Sequence, residues 1–546
     1  MTNGSQPAAA PGFPENEDPT LDASRLASAQ RAVVGLTEIL EDSVDLLGAT
    51  LREEAARIPG LLFRPAAGIL AAAASAVFLT AAAAFYFRDL FGGWHLSFLV
   101  LGAFYVLGSR RVEGGSRRSV ARNDVEMRID ARLARPNDPL VARPRAWRLR
   151  RFLRSRLIPG APASDVKGAL AYSRSPQCHT PGNRLEMLID GDQAFPAMLE
   201  AIERATSFVH LETYILADDE VGRLFSRALC ERARAGVSVR VLFDSLGSLR
   251  LPSDYVRQLT DTGVEVIEFR PVRKLLFSRL GYRRDHRKIL LVDGKVGFTG
   301  GLNVSSDYAS IGFASKGWRD THVKAEGPVV SELETLFRSS WLRSSGAAYP
   351  AYPPWAEEDT TAPQDSLLAA VIASDGGHRS VIRRHYLHAI LSARETIFIA
   401  NAYFVPDRGL IRALRRAASR GVRVAILVPS KSDVPLVQRA SEHLFDRLLR
   451  RGVEIYQWRE THMHAKTAVV DGVWSVVGSY NLDSVSLFRN NELVIESVGP
   501  SFGAWMNEQF ARDQRECHRV RLAEWRRRPA RRRLVEWLAY RVRRWL

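Results

Sequence analysis

The residues that staple or metallate small domains are scarce in this sequence. Three cysteines occur in 546 residues. Cys178, Cys230 and Cys517 are widely spaced, odd in number and without a CxxC pair. That excludes a disulfide framework and a cysteine zinc site, and it fits a reducing compartment. Acid is short as well: 77 Lys+Arg stand against 60 Asp+Glu, a formal net charge of +17. Such a surplus favours polyanionic partners, nucleic acid and anionic lipid headgroups alike. No acidic cluster with metal-ligand spacing accompanies the motifs below, so the expected chemistry needs neither metal nor cofactor. The remaining composition, 46% apolar and 25% charged, is that of a folded protein with room for two domains plus extensions.

Charge is missing locally from Pro65 to Phe87, a run of 23 residues. As a helix it can cross a hydrocarbon core of ~30 Å. After Arg88 and Asp89, Leu90 to Gly108 has His95 as its sole ionisable residue. Arg52, Arg57 and Arg64 precede the first run, and Arg110, Arg111, Arg117 and Arg118 follow the second. The positive-inside rule then gives a transmembrane hairpin over 63–109 with both ends cytoplasmic. The expected location is the cell inner membrane, multi-pass, with the catalytic domains in the cytoplasm. An alanine-rich buried helix is the competing reading; length and flanks favour the membrane. Residues 1–20 read as a disordered tail. Over 21–62 apolar residues at Leu26, Ala29, Val33, Leu36, Leu40, Val44, Leu47 and Leu51 give an amphipathic or coiled-coil helix. Such a helix can self-associate or pack on its neighbours. Residues 110–180 form a basic juxtamembrane linker. At the other end, 518–546 is a basic aromatic tail, with eleven arginines from Arg519 on among Trp525, Trp537, Tyr540 and Trp545. It suits a membrane surface, though nucleic acid could use it too.

Between these ends lies a duplication, read as an α/β domain over 181–345, a connector over 346–365 and a second α/β domain over 366–517. In the first copy a helix around Ala197–Ala205 leads to a strand over 207–215, and a helix ending at Gly236 leads to a strand over 237–244. In the second, a helix over 386–394 leads to a strand over 396–404, and a helix ending at Gly421 leads to a strand over 422–429.

Each copy closes on one motif. The first is His286-x-Lys288-x4-Asp293 followed by Gly300-Gly301-x-Asn303; the second is His464-x-Lys466-x4-Asp471 followed by Gly478-Ser479-x-Asn481. Two-residue alternation puts His and Lys of each motif on one strand face. Two histidines can flank a phosphodiester, one attacking phosphorus as neutral imidazole while the other, protonated, donates to the leaving oxygen. Lys288, Lys466, Asn303 and Asn481 then face the nonbridging oxygens and bind the phosphate. The candidate catalytic set is His286, Lys288, Asp293, His464, Lys466 and Asp471. The two aspartates, one residue beyond a buried strand, suit fixing a turn or a structural ion pair better than touching substrate. A nucleophilic histidine needs a partner on its other nitrogen; Asp320 is assigned to His286 and Glu492 to His464 as orienting acids. One such motif could be a solvated strand face. Two with identical spacing point to a site.

With these residues in view, the sequence resembles the phospholipase D superfamily over about residues 185 to 515, and within it the bacterial cardiolipin synthases. The motif residues carry the resemblance, with Glu212-Thr-Tyr-Ile215, Tyr403-Phe-Val-Pro-Asp407, Asn481-Leu-Asp483-Ser and Gly317-Trp-Arg-Asp320. It implies two similar phospholipase D-like α/β domains packed with pseudo-two-fold symmetry. It also implies a first-copy histidine as nucleophile and a second-copy histidine as acid/base. The implied reaction makes cardiolipin from two phosphatidylglycerols with release of glycerol through a phosphohistidine. Hydrolysis to phosphatidic acid by the same residues is the alternative, and a nuclease or other phosphodiesterase a weaker one. The membrane hairpin and arginine–tryptophan tail favour phospholipid over nucleic acid. Gly301 departs from the family pattern, standing where serine is frequent; Ser479 keeps it.

Overall fold

Short apolar runs entered through Gly-Val-x-Val become buried strands in two like halves of one continuous sheet. The computed structural model describes residues 168–272, 283–310, 317–347, 367–375 and 380–544, all within one compact unit, Pro139–Leu546. The expected segments over 1–20, 21–62 and 63–109, and the linker up to residue 167, lie outside the described residues. Among the described residues no helix is long and apolar enough to cross a membrane.

The first half runs β1 (Thr180–Ile189), helix Asp190–Glu203, β2 (Phe208–Thr213), helix Glu220–Arg234, β3 (Ser238–Asp244), helix Ser253–Asp261 and β4 (Glu265–Phe269). It continues with β5 (Ile289–Val292), β6 (Val296–Gly300), β7 (Thr321–Glu326) and helix Pro328–Ser345. The second half repeats it: β8 (Leu367–Asp375), helix Val381–Ser392, β9 (Thr396–Asn401), helix Arg408–Ser419, β10 (Arg423–Pro429), helix Pro435–Leu449 and β11 (Glu454–Trp458). Then come β12 (Lys466–Val470), β13 (Trp474–Gly478), β14 (Asn491–Val498) and helix Pro500–Arg515. Strand order is β15-β11-β10-β9-β12-β13-β14-β8-β1-β7-β6-β5-β2-β3-β4, with β15 spanning Cys517–Arg519. Apart from β15 the order reads the same outward from the β8–β1 junction in either direction, which is the pseudo-two-fold relation. In each half the central strand is parallel to its outer neighbour (β2 to β3, β9 to β10) and antiparallel to the motif strand (β5, β12).

Each half has its own core, and a third apolar cluster joins them: Val323 and Ala325 of β7 meet Val469, Val477 and Ile495 from β12, β13 and β14. A fully buried aliphatic side chain contributes about 1.5–3 kcal/mol, so this shared cluster fixes the halves against each other. Arg319 adds a buried ionic tie from the first half to the second, its Nε and Nη2 donating to Asp513 at 3.0 and 2.7 Å. Two segments expected as appendages are part of the fold. Leu170, in the expected linker, joins the second core. The expected tail is stitched to the sheet edge by β15, antiparallel to β11, and Trp525 packs in the second core.

Candidate active site

The aspartates of the two motifs serve the scaffold. Asp293 and Gly294 have φ of 53° and 66°, Asp471 and Gly472 of 52° and 64°. The Lys295 and Val473 amides close the turns onto the Val292 and Val470 carbonyls at 3.0 Å. Two successive left-handed residues make the Asp-Gly hairpin turn that joins β5 to β6 and β12 to β13. The Asp293 carboxylate accepts from the Thr206, Ser207 and Phe208 amides, each at 2.8 Å. Asp471 does the same for Arg394, Glu395 and Thr396 at 2.6–2.8 Å. Both sit at the far end of their strand, roughly 16 Å from the lysine at ~3.3 Å per residue. The catalytic assignment of Asp293 and Asp471 is therefore corrected: each ties a hairpin to the start of the central strand.

At the near ends His286 and Lys288, and His464 and Lys466, are all buried. The histidines stand in the extended segments just before β5 and β12, not on the strands themselves. Alternation still holds. Arg287 turns away to Ser340 and Asp375, and Ala465 enters an apolar cluster with Met463 and Phe510. Each lysine Nζ donates back to its own histidine's carbonyl, Lys288 at 2.7 Å.

The orienting acids are exchanged between the halves. His286 Nδ1 lies 3.1 Å from both carboxylate oxygens of Glu492, and His464 Nδ1 lies 2.8 Å from Asp320 Oδ2. This corrects the same-half pairing of Asp320 with His286 and Glu492 with His464. The cause is a pair of bridges between the halves. The His286 amide donates to the Asn491 carbonyl at 3.0 Å and the Asn491 amide to Arg284 at 2.8 Å; the His464 amide donates to Arg319 at 2.7 Å and the Arg319 amide to His462 at 2.9 Å. Each histidine segment thus docks beside the start of the other half's acid-bearing strand. A carboxylate on Nδ1 holds the ring proton there and leaves Nε2 as the basic nitrogen.

Electrostatics join the two motifs into one site. Burial lowers His286, and Lys288 and Lys466 push it further down against the pull of Glu492. His464 falls to about 4, through burial and then Lys466. Burial, with Lys466 as a like charge, brings Lys288 down to about 7 against the pull of Glu492; Lys466 falls to about 8 through burial. Burial works to raise Asp320 and Glu492, but Lys466 and the His464 contact outweigh it for Asp320, as His286, Lys288 and Ser479 do for Glu492. Both stay below the ordinary carboxylate range. Lys466 thus acts on the groups of both motifs, lowering His286, Lys288 and His464 alike.

The two sides differ in detail. Ser479 and Ser486 hydroxyls donate to Glu492, Ser486 at 2.7 Å. Opposite, Gly301 stands where a Cβ would lie 2.1 Å from Asp320 Oδ1, so glycine there makes room for the shorter acid. Tyr308, five residues after Asn303 as Ser486 is after Asn481, places its hydroxyl 3.3 Å from His464 Nδ1 and accepts from Asn303 Nδ2 at 2.8 Å. Asn303 Oδ1 also accepts from the Ile215 amide at 3.1 Å, so Asn303 is held by the fold. Asn481 Oδ1 is buried and has no hydrogen-bond partner among the described residues. The rings of Tyr214, beside His286, and of Tyr308, Trp318 and Tyr403, beside His464, wall the site. Tyr214, Trp318 and Tyr403 fall within stretches that carry the resemblance. Tyr308 and Ser486 had no signal beyond that shared offset.

Paired imidazoles, each oriented by a buried carboxylate and flanked by a lysine, on a duplicated α/β fold define a phosphatidyltransferase of the phospholipase D type. The family model described as "Cardiolipin synthase, PLD-like domain" matches residues 198–341 and 386–514, and the chain belongs to that family. It is 33% identical over 383 residues to the cardiolipin synthase of Geobacillus kaustophilus (strain HTA426), covering 69% of this chain and 76% of that one. It is 37% identical over 322 residues to cardiolipin synthase B of Salmonella typhi, covering 57% and 75%. Among solved structures, the phosphatidylserine synthase of Haemophilus influenzae Rd KW20 shares the fold at a TM-score of 0.53 and 14% identity, over 66% of this chain and 95% of that one.

Proposed function

We propose that the protein joins two phosphatidylglycerols into cardiolipin and glycerol. His286 Nε2 attacks phosphorus as the bond to the glycerol oxygen breaks, and His464, raised and protonated once the anionic phosphodiester is bound beside it, gives its proton to that oxygen. Glycerol leaves and a phosphatidyl-His286 remains. Neutral His464 then takes the proton from a glycerol hydroxyl of the second phosphatidylglycerol, whose oxygen attacks phosphorus and releases His286. Lys288, Lys466 and the Asn481 amide face the nonbridging oxygens, where charge grows in the transition state; Asn303 supports the site through Ile215 and Tyr308. The observation that supports this reading is the exchanged pairing of His286 with Glu492 and His464 with Asp320, in which each half orients the other's histidine. The hairpin over 63–109 holds the enzyme in the inner membrane with the catalytic halves on the cytoplasmic side, and the helix over 21–62 is available for self-association. Incubating the detergent-solubilised protein with phosphatidylglycerol and weighing the products by mass spectrometry tests the activity. Cardiolipin with glycerol supports it; phosphatidic acid alone makes the protein a hydrolase.

A further inference from the structure

The last helix, Ala530–Arg541, is packed inside out. A surface helix of a water-soluble protein buries its apolar stripe and shows its charges to solvent. Here the inward face buries an ionic cluster beside Ala539 and Tyr540. Glu536 is 0% exposed and is held by Arg528 Nη2 at 2.6 Å, with Arg532 at 3.5 Å. Arg532 also reaches Glu442 of helix Pro435–Leu449 at 3.1 Å. The outward face carries Leu534 at 56%, Val535 at 48%, Trp537 at 46%, Leu538 at 51% and Val542 at 40% exposure. Arg531, Arg533, Arg541 and Arg544 are exposed around them. Four apolar side chains exposed together on one helix, with Val542 at its cap, mark an interaction surface.

Its position relates it to the site. Ala539 on the inward side packs with Val437, Ala440 and Val405, and Tyr403, which faces His464, packs against the same cluster. Beside Val437, Val434 and Leu436 are exposed at 37% and 45%. Asp433, next in the chain, accepts from the Tyr403 hydroxyl at 2.6 Å. A second apolar tip thus stands at the loop bordering the second histidine.

We propose that the outer face of helix Ala530–Arg541, with the Val434–Leu436 tip, docks on an anionic lipid surface and sets the second histidine's side of the site against the bilayer. The charge pattern commits the surface to lipid. Leucine, valine and tryptophan flanked by arginine enter the headgroup boundary while the guanidinium groups meet phosphates. A nucleic acid would leave the apolar row in water. The inference is independent of the hairpin, and it extends the phospholipid reading by naming how substrate is approached.

The test uses the full chain in detergent, mixed with vesicles of phosphatidylcholine with and without an anionic lipid. A Leu538→Cys label in a Cys178→Ser background reports depth; of the other cysteines, Cys230 is buried and Cys517 half-buried. The label should be quenched by brominated acyl chains in anionic vesicles and far less in neutral ones. Arg531→Glu with Arg533→Glu should weaken that quenching roughly tenfold in lipid concentration. Leu534→Gln with Leu538→Gln should raise the apparent KM on vesicles about tenfold and leave turnover of a monomeric short-chain phosphatidylglycerol unchanged. The quenching needs no catalysis, so it stands even where the transfer reaction fails. An unquenched label overturns the inference. So does a label that responds instead to duplex DNA, or to protein concentration without lipid as a second copy would make it. A loss of short-chain turnover equal to the loss on vesicles overturns it too.

Discussion

The two halves are built alike and equipped differently, and the contrast separates scaffold from chemistry. Everything that recurs without change holds the frame: the Asp-Gly hairpin, the capped central strand, the lysine folded back on its histidine's carbonyl. What differs surrounds the orienting acids. Glu492 sits under two serine hydroxyls and holds His286. Asp320 sits beside Gly301 and holds His464 close to the hydroxyl of Tyr308. A carboxylate with filled hydrogen-bond capacity fixes a ring without drawing its proton far, which suits a nucleophile. An aspartate with fewer donors, near a phenol, suits a histidine that must gain and lose a proton each cycle.

The largest effect should come from the nucleophile's side. His286→Asn is expected to cut turnover by roughly ten-thousandfold or more, measured as glycerol release, because it removes the atom that forms the covalent intermediate. Next, Glu492→Gln and Asp320→Asn should each cost roughly a hundredfold to ten-thousandfold, but at different steps. With an activated leaving group that needs no proton, Glu492→Gln should slow the initial burst, and Asp320→Asn the steady state after it. The reverse assignment in stopped-flow experiments would mean that each acid serves the histidine of its own half. Exchanging the position that distinguishes the halves comes third. Gly301→Ser forces a Cβ against Asp320 and should reduce kcat roughly tenfold to a hundredfold, while Ser479→Gly, which removes one hydrogen bond from Glu492, should cost about three- to tenfold.

A pH-dependent consequence follows from the lysines. With Lys288 brought down to about 7 and Lys466 to about 8, both are partly uncharged at slightly alkaline pH. An anionic phosphodiester between them raises both values, so binding takes up protons, and the uptake fades as pH falls below the lysine values. Calorimetry in buffers of different ionisation enthalpy reads this directly; proton release would contradict it. The smallest catalytic effects should come from the shared scaffold. Asp293→Ala and Asp471→Ala each leave three backbone amides without their acceptor and should lose about 2–3 kcal/mol of stability in denaturant titration. The folded fraction should keep kcat within about threefold.

Much of this was legible from the residues in order. Repeated spacing gave both motifs, and Gly-Val-x-Val located β3 and β10, the outer neighbours of the central strands, to within a few residues. Asp320 and Glu492 were recognisable as the acids that begin β7 and β14. Their partners were not, because the bridges from Asn491 to His286 and from Arg319 to His464 run between halves, and spacing along one chain carries no record of contacts made across a two-fold. Tyr308 was hidden for a related reason: its counterpart Ser486 is chemically unlike it. The tail is basic and aromatic in sequence, yet only its packing on Glu442 and Glu536 reveals which face of its helix looks outward.

The central claim is that two imidazoles act on one phosphorus with separate duties. The most direct measurement is acid- and base-quenched trapping of the lipid-linked enzyme, followed by peptide mass spectrometry, in the wild type, His286→Asn and His464→Asn proteins. A phosphatidyl adduct on the peptide bearing His286, accumulating in His464→Asn when the leaving group is activated and absent from His286→Asn, is the predicted result. An adduct on His464, or one that persists in His286→Asn, would contradict it.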